Sequence, residues 1–117
     1  MTDGALKLTT RVVTGLHVHP DRVAKNLDLL DGLMLSEAVM LALGRKVGRQ
    51  TAHDVVYDCS MRAVEEARPL RETLADHPVV AQHLSPSEIE SLLDPRQYTG
   101  LAGEFVDRVV KSVARGE

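Results

Sequence analysis

Aromatic residues are nearly missing from this 117-residue chain. Tyr57, Tyr98 and Phe105 are the three present, and there is no tryptophan, too few for the platform on which bases of single-stranded nucleic acid stack. A surplus of positive charge is missing too. Fourteen Lys and Arg stand against 17 Asp and Glu, a net charge of −3, and the two signs are interleaved, so a phosphate backbone meets no basic stripe. With Cys59 as the single cysteine, an intrachain disulfide is excluded and a reducing compartment fits. No apolar run approaches the ~18 residues of a membrane span, and the N-terminus carries no signal-peptide core. These absences leave a soluble cytoplasmic domain, with no nucleic-acid or membrane partner expected.

What is present is ordinary globular material at 44% hydrophobic and 26% charged residues, in a length that suits one domain with a real core. The apolar spacing is helical almost throughout. Asp3 can cap a first helix running to about Thr14, which Gly15 stops. Pro20 suits the first position of the next, "PDRVAKNLDLL", with Val23, Leu27 and Leu30 on one face. After Gly32, "LMLSEAVMLALGRKV" is apolar nearly all round, which predicts burial on every side, in this chain or in a partner. Gly48 ends it, and Thr51 with Asp54 three on marks a start for the next helix. That helix, "TAHDVVYDCSMRAVEEA", places Ala52, Val55, Val56, Cys59, Ala63 and Ala67 on one stripe and His53, Asp54, Asp58, Arg62 and Glu65 mostly opposite. Pro69 closes it, and "LRETLAD" is a short helical piece.

In "SPSEIESLL", Ser85 with Pro86 behind it and Glu88 three on forms a capping box, the strongest local signal in the chain. Pro95 closes that helix. A last one runs from about Leu101, with Leu101, Phe105, Val109 and Val113 four apart. Nothing alternates with period two for long enough to make a sheet, and no segment repeats. The expected fold is all-α, a small bundle of six or seven helices.

Chemistry is harder to find. "GLHVHP" sets His17 and His19 two apart, and an extended backbone would send both imidazoles to one side. A metal needs a third and usually a fourth ligand. Only His53, His77, His83 and scattered carboxylates remain, none at motif spacing, and the residue before Pro20 is barred from helical geometry. The pair therefore reads as an extended connector between helices. His53 beside Asp54 could be a ligand and its orienter, but no second histidine stands at i+4, so a solvated or interface face is expected. Cys59 falls on the apolar stripe, where a thiol is inert core rather than nucleophile. The serines sit at caps or on helices without an elbow motif. Gly44 and Gly48 flank a basic pair at a helix end, not a phosphate loop. No catalytic, cofactor-binding or metal-ligating residue is assigned.

The stretch from Gly15 to Val56, "GLHVHPDRVAKNLDLLDGLMLSEAVMLALGRKVGRQTAHDVV", resembles the C-terminal domain of the fumarase/aspartase superfamily. It is most similar to the branch holding adenylosuccinate lyase and 3-carboxy-cis,cis-muconate cycloisomerase. The resemblance rests on the Gly-Leu-x-Val-x-Pro connector, Asn26-Leu27, the Ser36–Met40 helix, Gly48-Arg49 with Ala52-His53, and the later "LLDPRQYTG" from Leu92 to Gly100. It covers residues 15 to about 110. "HVHPDRV" with "LMLSEAVMLALGRKVGRQTAH" looks closer to the cycloisomerase.

Enzymes of that family are roughly four times as long, with several domains, a central helical bundle that forms a tetramer, and sites assembled from several subunits. Their Ser-rich signature loop has no counterpart here, and "CSMR" at Cys59 to Arg62 is not it. The resemblance thus implies a domain that packs on the central bundle and shapes one wall of the substrate cleft, without catalysis alone. The parent reaction would be an addition-elimination beside a carboxylate, needing neither metal nor organic cofactor. Residues 1–14 are expected to be the tail of a longer helix from a central domain, and 15–117 the C-terminal helical domain. The expected partners are the remaining domains of a parent lyase and further copies of this chain, with the first helix (Leu6, Val12, Val13) as the contact. The alternative is a free-standing interaction or regulatory module derived from that domain.

Overall fold

The computed structural model describes residues 2–116, and among these every regular element is helical. Eight α-helices follow one another: α1 (Thr2–Thr14), α2 (Pro20–Leu27), α3 (Ser36–Val47), α4 (Arg49–Glu65), α5 (Leu70–Asp76), α6 (Pro78–His83), α7 (Pro86–Leu92) and α8 (Ala102–Arg115). Two 3-10 turns, Leu33–Leu35 and Pro95–Tyr98, lead into α3 and out of α7. The all-α architecture expected from the sequence is the one found. The additional helix is α6, a six-residue piece that begins at Pro78 and was not expected.

The body of the molecule is α3 to α7. Gly48 alone joins α3 to α4, with φ +87° and ψ 151°, a backbone conformation that glycine adopts without the strain an L side chain would bring. At the same corner a Cβ on Gly44 would lie 3.7 Å from the Cβ of Ala52, an ordinary contact distance between the two helices. Val39 and Leu43 of α3 pack against the α4 stripe of Ala52, Val55, Val56, Cys59 and Ala63, and Leu70, Leu74, Val80, Leu84 and Ile89 complete the core. Thr73 is the buried polar member. Its hydroxyl lies 2.9 Å from the carbonyl of Cys59 and 3.1 Å from that of Leu70, so no desolvated donor is stranded.

Several local expectations are corrected. Asp3 lies inside the first turn of α1, where it pairs with Lys7 at 2.8 Å rather than capping the helix. Thr51 lies within α4, which starts two residues earlier. Ala67 leaves the α4 stripe, because the helix ends at Glu65 and Ala67 turns to φ +50°. Within this chain the segment 33–47 is covered on one side alone. Only Val39 and Leu43 are buried, while Met34 and Leu41 remain 54% and 53% exposed.

Helices α1, α2 and α8 bury no side chain. They extend the molecule to 61 × 29 × 25 Å, with a radius of gyration of 20.4 Å, against about 13 Å for a compact domain of roughly this size.

Candidate functional site

A concavity of about 470 Å³ lies where the Leu33–Leu35 turn and α3 meet α7 and the Pro95–Tyr98 turn. Met34, Ala38, Leu41 and Leu92 give it an apolar floor, and Glu37, Arg45 and Tyr98 supply its polar groups. The Tyr98 hydroxyl donates to the carbonyl of Leu92 at 2.6 Å, fastening the turn over the end of α7. Asp94 helps to shape that turn. Its carboxylate accepts from the Arg96 backbone N–H at 3.0 Å and from the Arg96 guanidinium at 2.9 Å, which holds its pKa below the ordinary carboxylate value.

A second groove, about 350 Å³, opens along α3 and α4 and is lined by Ser36, Glu37, Met40, His53, Tyr57 and Ser60 among others. One helical turn brings the rings of His53 and Tyr57 into parallel stacking, centroids 6.4 Å apart and planes 7° from parallel. His53 Nδ1 is 3.3 Å from the Asp54 carboxylate, and both side chains are exposed. Ser60 is not free to act as a nucleophile, since its hydroxyl donates to the Val56 carbonyl at 2.7 Å. Both grooves are walls. Neither brings together a base, an acid and oxyanion donors.

The residues weighed from the sequence are dispersed. His17 and His19 lie exposed in the irregular connector between α1 and α2. Among the described residues no three His, Cys, Asp or Glu side chains gather at metal-holding distance. Cys59 is fully buried, and burial pushes its thiol up to about 11, which the nearby Asp58 charge assists and Arg62 opposes. It is a core side chain. His77 has a structural use that spacing alone did not reveal. Its Nδ1 accepts from the Val79 backbone N–H at 3.3 Å and caps α6. The sequence carried half of a helix start in "HPVV", proline at the first helical position behind a residue that is not a usual cap. His19 precedes Pro20 in the same way, but makes no side-chain cap.

Charge elsewhere serves the scaffold. Arg68 binds Glu66, Glu72 and Asp76 at 3.1, 3.3 and 2.9 Å, pinning the α4–α5 corner. The contacts from Arg68 and Arg62 lower the Glu66 pKa.

Residues 32–109, which include the whole α3–α7 body, match the family described as "Adenylosuccinate lyase C-terminus". The chain is 43% identical to an N-acetyl-S-(2-succino)cysteine lyase of Dickeya dadantii over 86% of its own length and 22% of that protein's. It is also 43% identical to a 3-carboxy-cis,cis-muconate cycloisomerase of Pseudomonas aeruginosa, over 92% of this chain and 23% of the relative. Among solved structures, the 3-carboxy-cis,cis-muconate lactonizing enzyme of Pseudomonas putida superposes with a TM-score of 0.76 at 43% identity, covering 85% of this chain and 23% of that one. The chain thus spans about a quarter of the length of the relatives it matches.

Proposed function

The chain belongs to the adenylosuccinate lyase C-terminus family, and from that premise we propose that it serves as the C-terminal domain of a lyase- or cycloisomerase-type enzyme. The observation that carries this reading is the match of the complete α3–α7 body to one domain of much longer lyases and cycloisomerases. In this role the domain supplies packing and one wall of a cleft, for which the apolar concavity edged by Glu37, Arg45 and Tyr98 is the suitable surface. The substrate class is a polycarboxylate undergoing addition-elimination beside a carboxylate, with the muconate-type reaction preferred. Acid, base and oxyanion donors come from other domains. A reducing cytoplasmic setting suits the free Cys59.

Residues 1–14 act as the tail of a helix that continues into the rest of the enzyme. Support comes from α1 itself, whose Leu6, Leu8, Val12 and Val13 are 62–67% exposed, more apolar surface than a solitary helix retains without a neighbour. In the isolated chain the same apolar residues make α1 the contact between copies. Light scattering over a dilution series tests this. A strict monomer at high micromolar concentration, unchanged when Val12 and Val13 become glutamate, removes the α1 contact.

The catalytic reading is tested by offering 3-carboxymuconate and adenylosuccinate to the isolated chain. No turnover is expected. Turnover well above background, abolished by changing His53, would place an active site here. A free-standing interaction module is the second reading, favoured by one observation: the core closes within α3–α7 of this chain. Fusing residues 15–117 to the upstream part of the Pseudomonas putida enzyme separates the two. An active hybrid supports the lyase domain, and a folded but inactive one favours the module.

A further inference from the structure

Helix α3 leaves one face uncovered, and that face carries its own charges. Glu37, Leu41 and Arg45 stand at i, i+4 and i+8, within about 80° of one another around the helix axis. All three line the 470 Å³ concavity with Met34, Ala38 and Ala42, so charge and apolar surface lie on the same side of the helix. Met34 and Leu41 are 54% and 53% exposed. Among the described residues neither Glu37 nor Arg45 forms an ion pair, whereas the neighbouring Lys46 is committed to Glu88 and the His83 carbonyl. We propose that this face pairs with the same face of a second copy of the chain, two α3 helices lying antiparallel about a two-fold axis at Leu41.

The spacing of the charges chooses the occupant. Leu41 lies midway between Glu37 and Arg45. A two-fold axis at Leu41 therefore sets Glu37 of each copy level with Arg45 of the other, and both unpaired charges of both copies find partners at once. That is the self-complementary surface a two-fold interface needs. Helices packed about 8–10 Å apart bring such side chains within reach. A parallel pair would set Glu37 against Glu37 and Arg45 against Arg45, with like helix ends together.

Side-chain size agrees. Ala38 and Ala42 are small, so the floor beside Leu41 is low, and Leu41 of each copy seats on the floor of the other as a knob in a hole. Exposed ion pairs contribute little to affinity. Burial of Leu41 and Met34 supplies the attraction, and the charges fix direction and partner. The contact is one helix wide, which places it below about 1,200 Å² of total buried surface, among weak and concentration-dependent associations. It concerns the free chain, in which no other domain stands opposite this wall, and does not rest on the lyase reading.

Charge reversal in the 117-residue chain, read by sedimentation equilibrium at high micromolar concentration, tests both the pairing and its direction. Every protein carries Val12→Glu and Val13→Glu, so that association through α1 does not contribute; α1 supports no core residue. The starting chain is expected to dimerise. Glu37→Arg alone and Arg45→Glu alone are each expected to be monomeric, because the two-fold axis repeats every like-charge contact. An equimolar mixture of these two is expected to recover the dimer, since one copy then offers two arginines and the other two glutamates at the facing positions. The double variant Glu37→Arg with Arg45→Glu is expected to dimerise like the starting chain, which a parallel pair would not do. Helical circular dichroism should be unchanged throughout, since both side chains are exposed. A monomeric starting chain, a dimer that survives either single reversal, a mixture that stays monomeric, or a monomeric double variant would each overturn the proposal.

Discussion

Lys46 at the end of α3 donates to the carbonyl of His83, 2.5 Å away, across 37 residues of chain. His83 is the last residue of α6, so a lysine from another helix satisfies one of the carbonyls that the helix end leaves without an internal partner. The same ammonium lies 3.5 Å from Glu88, which belongs to the capping box of α7. One cation therefore ties the start of the α3–α4 corner to the α6–α7 junction.

Replacing Lys46 with alanine leaves that carbonyl to solvent and loosens α6. A loss of about 1 kcal/mol is expected, or a drop in melting temperature of about 4–6 °C for a domain of this size. Methionine at the same position, which keeps the aliphatic stem but not the donor, is expected to lose nearly as much. Thermal melts by circular dichroism check this. If methionine were to restore full stability, packing of the stem would be the source.

The capping box gives a pH dependence. Glu88 accepts from the Ser85 backbone N–H at 2.7 Å and from the Ser85 hydroxyl at 2.8 Å. These bonds, helped by the Lys46 charge, depress its pKa in the folded state. A carboxylate with a depressed folded pKa contributes stability above its unfolded value, near 4, and loses it as pH falls through the lower folded value. Glu66 and Asp94 shift in the same direction. Stability is thus expected to be flat near neutrality and to fall below about pH 4.5. Glu88→Gln is expected to make that fall shallower in urea titrations at pH 3–6. An identical acid limb in the variant would show that Glu88 takes no part.

Cys59 supplies a third expectation. Full burial and a thiol pushed up to about 11 leave almost no thiolate at pH 8 and no access for a reagent. Labelling with a disulfide reagent is expected to track global opening and to become fast in 6 M guanidinium. Fast labelling of the folded chain would mean that α4 lifts from α3 and α5. Leu74→Ala, at a fully buried neighbour in the same core, is expected to cost about 2–5 kcal/mol and to speed labelling accordingly.

His17 and His19 are expected to hold no zinc. Their connector is exposed, and a zinc site requires three or four converging ligands. Elemental analysis of protein prepared without chelator checks this. One equivalent of zinc per chain, lost in the double alanine variant, would reverse the reading.

Much of the body was legible because its signals are local. Ser85, Pro86 and Glu88 announce α7 through the spacing of a capping box, and the structure holds both reciprocal bonds. The α4 stripe was readable because a 17-residue helix repeats its period several times. Helix α6 was not legible, since six residues are too few to display a period, and its cap is a histidine rather than a serine or aspartate. The 33–47 segment was legible in part, for a different reason. Apolar composition cannot say whether a face meets this chain or another, and Met34 and Leu41 face outward here. The functional surface shares that ambiguity. A cleft wall is defined by what stands opposite, and the exposed faces of α1, α2 and α8 carry no sign of their neighbours beyond charge and spacing.

The corner at Gly48 is the position where one atom should matter most. Its φ of +87° and ψ of 151° fall in a region that is essentially reserved for glycine. An added Cβ would meet nothing within 4 Å, so any loss on substitution is backbone strain and not crowding. Gly48→Ala is expected to cost about 1–3 kcal/mol. Asparagine tolerates left-handed helical geometry, but ψ is far from that region, so Gly48→Asn is expected to give no relief. At Gly44 the opposite holds. Its backbone has ordinary helical φ, and an added methyl would sit 3.7 Å from Ala52, an ordinary contact, so Gly44→Ala is expected to be neutral or mildly stabilising through helix propensity. Urea unfolding of the three variants decides the matter. If Gly48→Ala were as stable as Gly44→Ala, the α3–α4 corner would have to adopt another path in solution, and the packing of Val39 and Leu43 on α4 would need to be redrawn with it.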